Sequence, residues 1–509
     1  MKRSKQQGVA LIFAMIFVLV LSIMAASLMF LSQSETWASM NYRLMTQSRY
    51  GAEAGLHAAA NYLMTSYTAP GMPGGDAVAG YNVAVSPVTL IAGTTPIVLG
   101  PTMNGLSPNY PVSGTLTNFK KATQQSLTAG NTNVNYSVSA ELLSMRQVIP
   151  CGGVQKVTAQ LWKLTSHGDI NGARNSEVEV SALLESHITP CYNFAAYALA
   201  SGCNSIQFTG NGTVDSYDSR TGTALSQFMG NLGSNGNLNT AKNTVVSGTF
   251  ASPDQGVGNC ASGAVDALSG GGTVSGCGTG PTNCVPSPGL VKLSQIVNPL
   301  PPSIPSTVPP PAPNVTSTTT LTPCYGTACP INGLGNGNYG DITLSGNDIA
   351  TLTPYEDPVT HVCSGGIYYI NSLTLTGNGT LKVAPCSGTS TTPGTYQPLV
   401  VDIVGQNTTT PLTLTGNGIN NPSMSASMLQ IQYNGANPLT LTGNGASAAV
   451  VFAPNAQVNF SGNGAWWGSI IGKQVTSNGN GAIHYDRALQ ANLATLGNWT
   501  LDTFTWSKY

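Results

Sequence analysis

The chain has 509 residues, and only 7% of them are Asp, Glu, Lys or Arg, against about 25% in an average globular protein. Its formal net charge is −1, and the 59 glycines come with many Thr, Ser and Asn residues in place of ions. A chain of this length can form several domains, and the lack of a basic patch excludes nucleic acid as a partner. The ten cysteines all follow residue 150 without a CxxC pair, which predicts disulfides in an oxidising compartment rather than zinc sites. Free thiols inside the cell are the alternative.

The first 67 residues predict one long helix. Residues 9–31 contain no charge, Gly or Pro, and at about 1.5 Å per residue they can cross a bilayer core of about 30 Å. Lys2, Arg3 and Lys5 precede this stretch and favour a cytoplasmic N-terminus. Apolar and small residues then continue at steps of three and four to residue 67, and this small-residue seam predicts packing against other helices.

These residues resemble type IV prepilins and the related secretion pseudopilins. A short basic leader ends at Gly8, the apolar helix begins at Val9, and "AEAGLHAA" (residues 52–59) is similar to PilX-type minor pilins. The resemblance implies that residues 1–8 are a leader, that prepilin peptidase cuts between Gly8 and Val9, and that Val9 is then methylated. It also implies an assembly helix over residues 9–67, transmembrane over 9–31, whose contacts with other pilin subunits involve Phe13, Gly51, Glu53 and Gly55.

The fifth mature residue, Phe13, departs from the pattern of major pilins, which carry a glutamate there. In a filament that carboxylate neutralises the terminal amine of a neighbour, because an unpaired charge in apolar surroundings is costly. Some pseudopilins without this glutamate cap the filament tip, so the resemblance implies a tip position. The alternatives are an uncleaved membrane anchor and signal cleavage at the Ala25-x-Ser27 motif.

Alternating runs in residues 68–190 predict a small antiparallel sheet on the helix, and "LTSHGDINGARNSEVEV" (residues 164–180) resembles a PilX-type head. Residues 221–298 are rich in Gly and Ser and carry three cysteines. We interpret them as an irregular insertion in the following domain. The proline-rich residues 299–315 predict a semi-rigid extended connector.

The segment "LTLTGNG" occurs three times, at residues 373–379, 412–418 and 439–445, among looser copies. The alternating leucines predict a buried strand face, and Gly and Asn predict a corner with left-handed backbone geometry. Spacings of 17 to 39 residues between copies indicate a parallel β-helix, or solenoid, over residues 191–509, with residues 497–509 as a closing strand. A hairpin sandwich is the rival fold. The predicted corner residues, which can form a hydrogen-bonded ladder, are Asn211, Asn347, Asn378, Asn417, Asn444, Asn463 and Asn480.

No nucleotide or nucleophile motif stands in a supporting context. Three groups of side chains were weighed for other chemistry: an acidic cluster for polysaccharide cleavage, loop carboxylates for calcium, and aromatic residues for an adhesive face, for which packing is the preferred interpretation. The acidic cluster consists of Asp215, Asp218, His484 and Asp486. The loop carboxylates are Asp341, Asp348, Glu356 and Asp357, and the aromatic residues are Tyr368, Tyr369, Trp466 and Trp467. For the acidic cluster, turn capping is the simpler role.

The sequence as a whole predicts a mainly β fold with one long N-terminal α-helix: a pilin-like helix and small sheet, then a β-solenoid. The segment "GGIYYINSLTLTGNGTL" (residues 365–381) resembles a domain that follows PilX-type leaders. We expect a minor pilin subunit without enzymatic activity or cofactor, held in the inner membrane before assembly and then displayed on the cell surface. Its expected partners are other pilins, prepilin peptidase and a tip adhesin or surface glycan. A membrane-anchored, polysaccharide-active enzyme is the alternative.

Overall fold

The computed structural model describes residues 7–129, 132–171, 175–261, 264–310, 312–324, 337–442 and 446–508. The chain divides into two compact units. The first, called the head unit, comprises Met1–Arg146, Thr158–His187 and Asn498–Tyr509. The second, called the β body, comprises Gln147–Val157 and Ile188–Gly497.

Helix α1 of the head unit runs over Gln7–Thr65, so the predicted long helix is confirmed. Its residues 9–43 are exposed, and its N-terminal part is long and apolar enough to cross a membrane. From Ser48 onward, one face of α1 is buried through Ala52, Leu56, Ala59 and Leu63, which follow one another at helical steps of three and four.

The sheet of the head unit has six strands: β1 (Val98–Leu99), β2 (Gln125–Ala129), β3 (Thr132–Val148), β4 (Val157–Ile170), β5 (Ser176–Pro190) and β6 (Ala494–Lys508). Their order is β1-β3-β4-β5-β6, and β2 pairs with β3 outside this path. Strands β4 and β5 pair antiparallel, as predicted. A second helix, α2 (Ser113–Thr123), contributes Phe119 to the core, and Val78–Gly80 and the pair Tyr81–Asn82 and Thr89–Leu90 complete the unit.

The small-residue seam of α1 faces this sheet, so the prediction that Gly51 and Gly55 pack against other helices is wrong. A Cβ at Gly51 would lie 2.4 Å from Val134 Cγ1, and one at Gly55 would lie 2.4 Å from Ser166 Oγ. The seam is small because the chain's own sheet approaches the helix closely, and helical spacing alone does not reveal which kind of element lies opposite.

The last strand also differs from the prediction, which had residues 497–509 closing the solenoid. Strand β6 instead lies beside β5 at the edge of the head sheet, and Trp499 and Leu501 pack against the head core. Their alternation gives the strand one apolar side, which the head core buries. The head unit is therefore discontinuous in sequence: Ile188–Gly497 of the β body lie between β5 and β6, and Gln147–Val157 lie at the connection of β3 and β4.

Strands of the β body pair in parallel in three stacks. The first stack, in order of pairing, contains Gly366–Leu375, Leu399–Ile403, Leu429–Tyr433, Ala446–Gly462, Ala465–Gly479, Ala196–Ala198, Leu232–Ser234, Phe250–Ser252 and Leu290–Lys292. The second contains Asn338–Leu344, Gly366–Leu375, Leu412–Leu414, Leu439–Thr442, Ala446–Gly462, Ala465–Gly479, Ile206–Phe208, Leu238–Thr240, Leu268–Gly270 and Val257–Gly258.

The third stack is built in two runs. One contains Thr319–Leu321, Ile349–Leu352, Thr380–Val383 and Gly418–Asn420. The other contains Ala446–Gly462, Ala465–Gly479, Ala482–Asp486, Thr213–Asp218, Val245–Val246 and Thr273–Val274. Short elements complete the body: the antiparallel strand Gly222–Ser226, the hairpin Tyr355–Glu356 with Cys363–Ser364, the 3-10 turn Ala426–Met428 and helix α3 (Leu489–Asn492).

The first and last strands of the β body are neighbours, since Ala196 pairs with Ile470 and Thr213 with Ala482. The chain moves away from this seam as far as Leu290–Lys292 and resumes at the opposite end of the stacks. Nine strand spacings of about 4.8 Å separate these ends, or about 43 Å. The 22 residues between Lys292 and Val315, which include the proline-rich segment, can span that distance, because in an extended conformation they reach about 68 Å, and Val315 forms a bridge with Ile342. This stretch is fixed by bonds from Val297 N to Asn235 Oδ1 (2.8 Å) and from Gly340 N to Pro313 O (3.0 Å).

Residues 221–298 are therefore not the irregular insertion predicted from their composition, because they supply strands to all three stacks. These strands have only two or three residues each, too few for an alternating pattern to emerge. Four disulfides in which both cysteines are described stabilise the β body: Cys151–Cys191, Cys203–Cys260, Cys277–Cys284 and Cys363–Cys386. The expectation of a long N-terminal helix followed by a mainly β chain is confirmed.

Candidate functional site

The exposed half of α1 is the largest apolar surface in the described chain. Val9 is 54% exposed and Phe13 67%, and only Glu35 and Arg43 carry charge between residues 9 and 43. Residues 9–31 span about 34 Å at 1.5 Å per residue, so the remaining dozen residues continue beyond a bilayer core of about 30 Å. An apolar helix face of this length is an association surface.

The predicted processing and assembly residues occupy different places on α1. Gly8 and Val9 lie in its first turn, and the exposed Phe13 follows one turn later. Glu53 accepts a bond from Arg49 Nε at 2.8 Å on the outer side of the helix. Gly51 and Gly55 face the chain's own sheet, so of the four predicted assembly residues Phe13 and Glu53 remain accessible to another subunit.

A ladder of asparagines runs along the corners of the β body. Asn243 Nδ2 donates to Asn211 Oδ1 at 2.9 Å, and Asn211 Nδ2 donates to Asn480 Oδ1 at 2.9 Å. Asn480 Nδ2 donates in turn to Asn463 Oδ1 at 3.1 Å. A primary amide can donate and accept at once, so each asparagine links its two neighbours. The ladder crosses the seam between the first and last strands of the body.

The other predicted corner asparagines differ in whether their side chains form hydrogen bonds. Asn378 Nδ2 donates to Asn347 Oδ1 at 2.9 Å. Asn417 is exposed and makes no side-chain hydrogen bond within the described chain. Asn444 lies outside the described residues.

The left-handed backbone predicted for these asparagines is found at their glycine neighbours. Gly377 has φ 60° and Gly479 φ 98°, whereas no described corner asparagine has positive φ. Glycine adopts this conformation without steric cost, which leaves asparagine free to serve the ladder. At Gly481, the second glycine of its corner, packing leaves no room for a side chain, because a Cβ there would lie 2.2 Å from Phe460 Cε1.

Asn243 is a ladder residue that sequence reasoning missed. It lies in "AKNTVV" without the flanking glycines. The two valines that follow it, Val245 and Val246, were the available signal. They continue into a strand, and Val245 pairs with Thr213, which stands in the same position after Asn211.

The leucines of the repeat stack on one another inside the body. Leu373 pairs with Leu412 and Leu375 with Leu414, which pairs with Leu441, and all are at most 2% exposed. The intervening threonines point outward and are partly exposed. The alternation predicted from the repeat is confirmed.

Each carboxylate of the predicted acidic cluster has partners of its own. His484 Nδ1 is hydrogen bonded to Asp215 Oδ1, and both side chains are buried. Asp218 binds Arg220 at 2.7 Å, which lowers its pKa. Burial raises the pKa of Asp486, whose oxygens accept backbone N–H bonds from Ser219, Ala426 and Ala488. These contacts are structural ones, with no pair of free carboxylates facing a cleft.

The loop acids considered for calcium are likewise engaged. Asp341 accepts bonds from Asn371 and Ser372. Hydrogen bonds from hydroxyls lower the pKa of Glu356, and backbone amides lower that of Asp357. For Asp348, only main-chain bonds are found among the described residues: its N donates to Ser345 O, and its carbonyl oxygen accepts from Thr380 N. Across the described ranges, no group of three or more His, Cys, Asp or Glu side chains could hold a metal.

The aromatic residues considered for an adhesive face are mostly packed inside. Tyr368 and Trp466 are at most 1% exposed, and Tyr369 is 8% exposed. Trp467 lies between the rings of Tyr217 and His484, at 4.8 and 4.4 Å between centroids. The preference for packing over adhesion is therefore supported.

Asp402 is a buried acid that sequence reasoning did not identify. Its side chain is 7% exposed, and its Oδ1 has no hydrogen-bond partner among the described residues. Burial raises its pKa to about 7. In the run "LVVDIV" the aspartate is the one polar residue, and this composition was the available signal.

Comparisons with known proteins match two parts of the chain. The PilX N-terminal family matches residues 7–57, and a domain of unknown function (DUF7305) matches residues 327–492. No curated protein matches the sequence. The crystal structure of the competence-associated pilin ComZ from Thermus thermophilus aligns with 92% of this chain and 98% of that one. Its sequence identity is 13% and its TM-score 0.28, so this likeness carries no argument.

The family match covers the part of α1 that carries the leader junction, the apolar stretch and the beginning of the head contact. The second match begins beyond the proline-rich connector and ends within helix α3. With its PilX-type N-terminus and its long helix packed on a small sheet, the chain is a type IV pilin-like protein with an additional C-terminal domain.

Proposed function

We propose that the chain is a minor subunit of a type IV pilus or related filament, at or near its tip, where the β body is displayed for assembly or adhesion. The observation that carries the proposal is the exposed half of α1, which remains uncovered by the described chain over residues 9–43. Lipid covers about 20 residues of such a helix. The rest needs apolar partners, and the helices of sister subunits supply them.

Phe13 supports the tip position. A subunit that offers no carboxylate at this depth has no ion-pair partner for the terminal amine of a subunit above it, and an unpaired buried charge is strongly unfavourable. Before assembly the helix anchors the chain in the inner membrane. Prepilin peptidase then cleaves the Gly8–Val9 bond. A tip adhesin or a surface glycan is the proposed outer partner.

The β body is, in this proposal, a solenoid whose three faces are the three stacks. The in-register leucines and the asparagine ladder support it, because both require equivalent positions to repeat strand after strand. A closed barrel of six parallel strands with outer strands is the competing arrangement. Cryo-electron microscopy distinguishes them: a solenoid shows rungs about 4.8 Å apart along one axis, whereas barrel strands tilt by about 35–45° around a ring.

The role is structural rather than enzymatic. The three carboxylates of the acidic cluster are engaged by His484, by Arg220 and by backbone amides, so none is poised as an acid or a nucleophile. We expect no polysaccharide degradation by the wild type, and the double substitution Asp215→Asn, Asp218→Asn should leave that result unchanged.

Mass spectrometry of the mature N-terminus and filament counting test the subunit role. We expect methylated Val9 in the wild type, an intact leader in Gly8→Leu, and normal cleavage in the neighbouring control Gln7→Ala. Phe13→Glu supplies the missing carboxylate and is expected to raise the number of copies per filament, with Phe13→Leu as the control. Retained Met1 in the wild type, or equal copy numbers in both Phe13 variants, would refute the respective step.

A further inference from the structure

One corner between the second and third stacks is a residue shorter than its neighbour. Leu375 pairs with Leu414 before the corner, and Thr380 pairs with Gly418 after it. Four residues therefore form the corner in the first of these copies and only three in the second. The corner that contains Asn417 is thus out of step with the adjacent copy of the repeat.

The shorter corner leaves Asn417 outside the asparagine ladder. It lies one residue before the paired Gly418, whereas Asn378 lies two residues before the paired Thr380. Its side chain is exposed and makes no hydrogen bond to a described residue, although Asn378 Nδ2 donates to Asn347 Oδ1 one strand further along. The left-handed conformation also changes place in this corner, because it follows the asparagine at Gly418 (φ 70°).

Corners of equal length keep their asparagines in the ladder. The strands before and after Asn211 pair in one register with those before and after Asn480. Each of these two corners has four residues, and Asn211 Nδ2 donates to Asn480 Oδ1 at 2.9 Å. Asn480 Nδ2 donates in turn to Asn463 Oδ1. The ladder excludes Asn417 because the chain is one residue short there.

Asn417 also differs from the other asparagines that precede a glycine. Among the Asn–Gly pairs in which both residues are described, its side chain is the one without a hydrogen-bond partner in the described chain. In the other pairs the side-chain amide donates or accepts a hydrogen bond. Those asparagines are Asn104, Asn211, Asn235, Asn378, Asn434, Asn463, Asn478 and Asn480.

An asparagine that precedes a glycine can react with its own backbone. The main-chain nitrogen of the glycine attacks Cγ of the asparagine, and an N–C bond forms as the Cγ–Nδ2 bond breaks. Nδ2 leaves as ammonia and takes the proton of the attacking nitrogen. Water then opens the cyclic imide at one of its two carbonyls, which yields aspartate or isoaspartate. Glycine favours the attack because it has no Cβ to obstruct the approaching side chain.

We propose that Asn417 is a site of spontaneous deamidation, which the fold selects from these asparagines. In the ladder each amide is bonded to another strand, so hydrogen bonds must break before its Cγ can reach the backbone. The Asn417 amide has no such bond within the described chain and is exposed to water, which is the one co-reactant. The product adds one negative charge to a chain whose formal net charge is −1. The reaction needs neither a filament nor an enzyme, so the inference is independent of the proposed function.

The test follows each Asn–Gly pair in the full-length protein kept in mildly alkaline buffer. Peptide mapping by mass spectrometry measures the conversion of each asparagine, and labelling by isoaspartyl methyltransferase detects isoaspartate. The same incubation in concentrated urea gives the rates in the unfolded chain. Asn480→Ala is the diagnostic variant, because it removes the bond that Asn463 accepts and leaves the bond between Asn378 and Asn347 in place. Asn417→Gln removes the reactive site itself.

In the folded wild type we expect Asn417 to convert about tenfold faster than Asn211 or Asn480, because each of these must first break its ladder hydrogen bonds. In urea the three rates should become similar. Asn480→Ala should raise the rate at Asn463 about fivefold without changing the rate at Asn378. Asn417→Gln should abolish the conversion in its peptide, and thermal melting confirms that both variants are folded.

Each of three results overturns the inference. Equal rates at Asn417 and Asn211 in the folded protein show that the ladder gives no protection. A faster rate at Asn417 that persists in urea assigns the preference to the local sequence rather than to the fold. An unchanged rate at Asn463 in Asn480→Ala shows that the ladder bond does not restrain the amide.

Discussion

Replacing Asn211 by alanine tests the asparagine ladder where it crosses the seam of the β body. The substitution removes the bond donated to Asn480 and the bond accepted from Asn243, both 2.9 Å long. It also leaves Asn480 Oδ1 and Asn243 Nδ2 to water, because the corner is exposed. No backbone strain is relieved or added, because Asn211 does not have a positive φ.

The expected cost follows from two exposed hydrogen bonds. A net contribution of about 0.5–1.5 kcal/mol each, taken at its lower half for solvent-exposed groups, gives about 1–2 kcal/mol. For a unit of about 320 residues the melting temperature falls by about 1.5–3 °C. Asn417→Ala is the matched control. It alters the same kind of corner without losing a side-chain hydrogen bond to any described residue and stays within about 0.5 kcal/mol of wild type.

Thermal melting gives the stability, and hydrogen exchange shows where it is lost. We expect faster amide exchange in Thr213–Asp218 and Ala482–Asp486, the two strands joined at the seam, in Asn211→Ala only. If Asn417→Ala proves equally damaging, or if exchange at the seam does not change, the ladder does not hold the seam together and the reasoning is refuted.

Three further substitutions test the core, the helix contact and the buried acid. Leu414→Ala opens a cavity in the leucine stack and should cost about 2–5 kcal/mol, whereas Thr413→Ala next to it should cost under about 1 kcal/mol; similar urea midpoints would contradict the stacking. In Gly55→Val the new side chain collides with Ser166, which should destabilise the head unit by about 1–3 kcal/mol. Gly114→Ala, with open space around it, should be neutral. Equal rates of proteolysis of the head unit in the two variants would contradict this contact. Burial raises the pKa of Asp402 to about 7, so the folded chain holds this proton more tightly than the unfolded chain does. The free energy of unfolding should therefore fall by up to about 4 kcal/mol as the pH rises from 4 to 7. Asp402→Asn should abolish that loss, and an unchanged slope in pH-dependent unfolding would show that the carboxyl is solvated.

The repeat was the most predictable part of the fold because its signal is local. Alternating leucines fix which side of each strand is buried, and identical copies fix their mutual register, so Leu373 opposite Leu412 follows from the sequence. The strands of residues 221–298 lack both signals. Their two or three residues are held in place by neighbours that are distant in sequence, such as Leu238 against Ile206, and no local pattern encodes that pairing.

The predicted sites failed where a pattern had more than one physical cause. Gly51 and Gly55 mark a close approach, which a sheet satisfies as well as a helix. The alternation in residues 497–509 gives a strand but not its partner, and the head core takes it through Trp499. The corner asparagines were predicted on two grounds, a left-handed backbone and a hydrogen-bonded ladder. Positive φ is found at glycines such as Gly377 and Gly479 instead, whereas ladder bonds join Asn211, Asn480 and Asn463.

The split head sheet sets the order in which this protein can mature. Strand β5 ends at Pro190 and β6 begins at Ala494, so nearly the whole β body is synthesised before this edge strand of the head sheet exists. The entry and exit of the body are held side by side, with Ile149 N donating to Asn492 O at 2.7 Å and Cys191 N to Leu493 O at 3.3 Å. Truncated chains lack β6, so only a chain synthesised to its last strand can complete the edge of the head sheet beside β5.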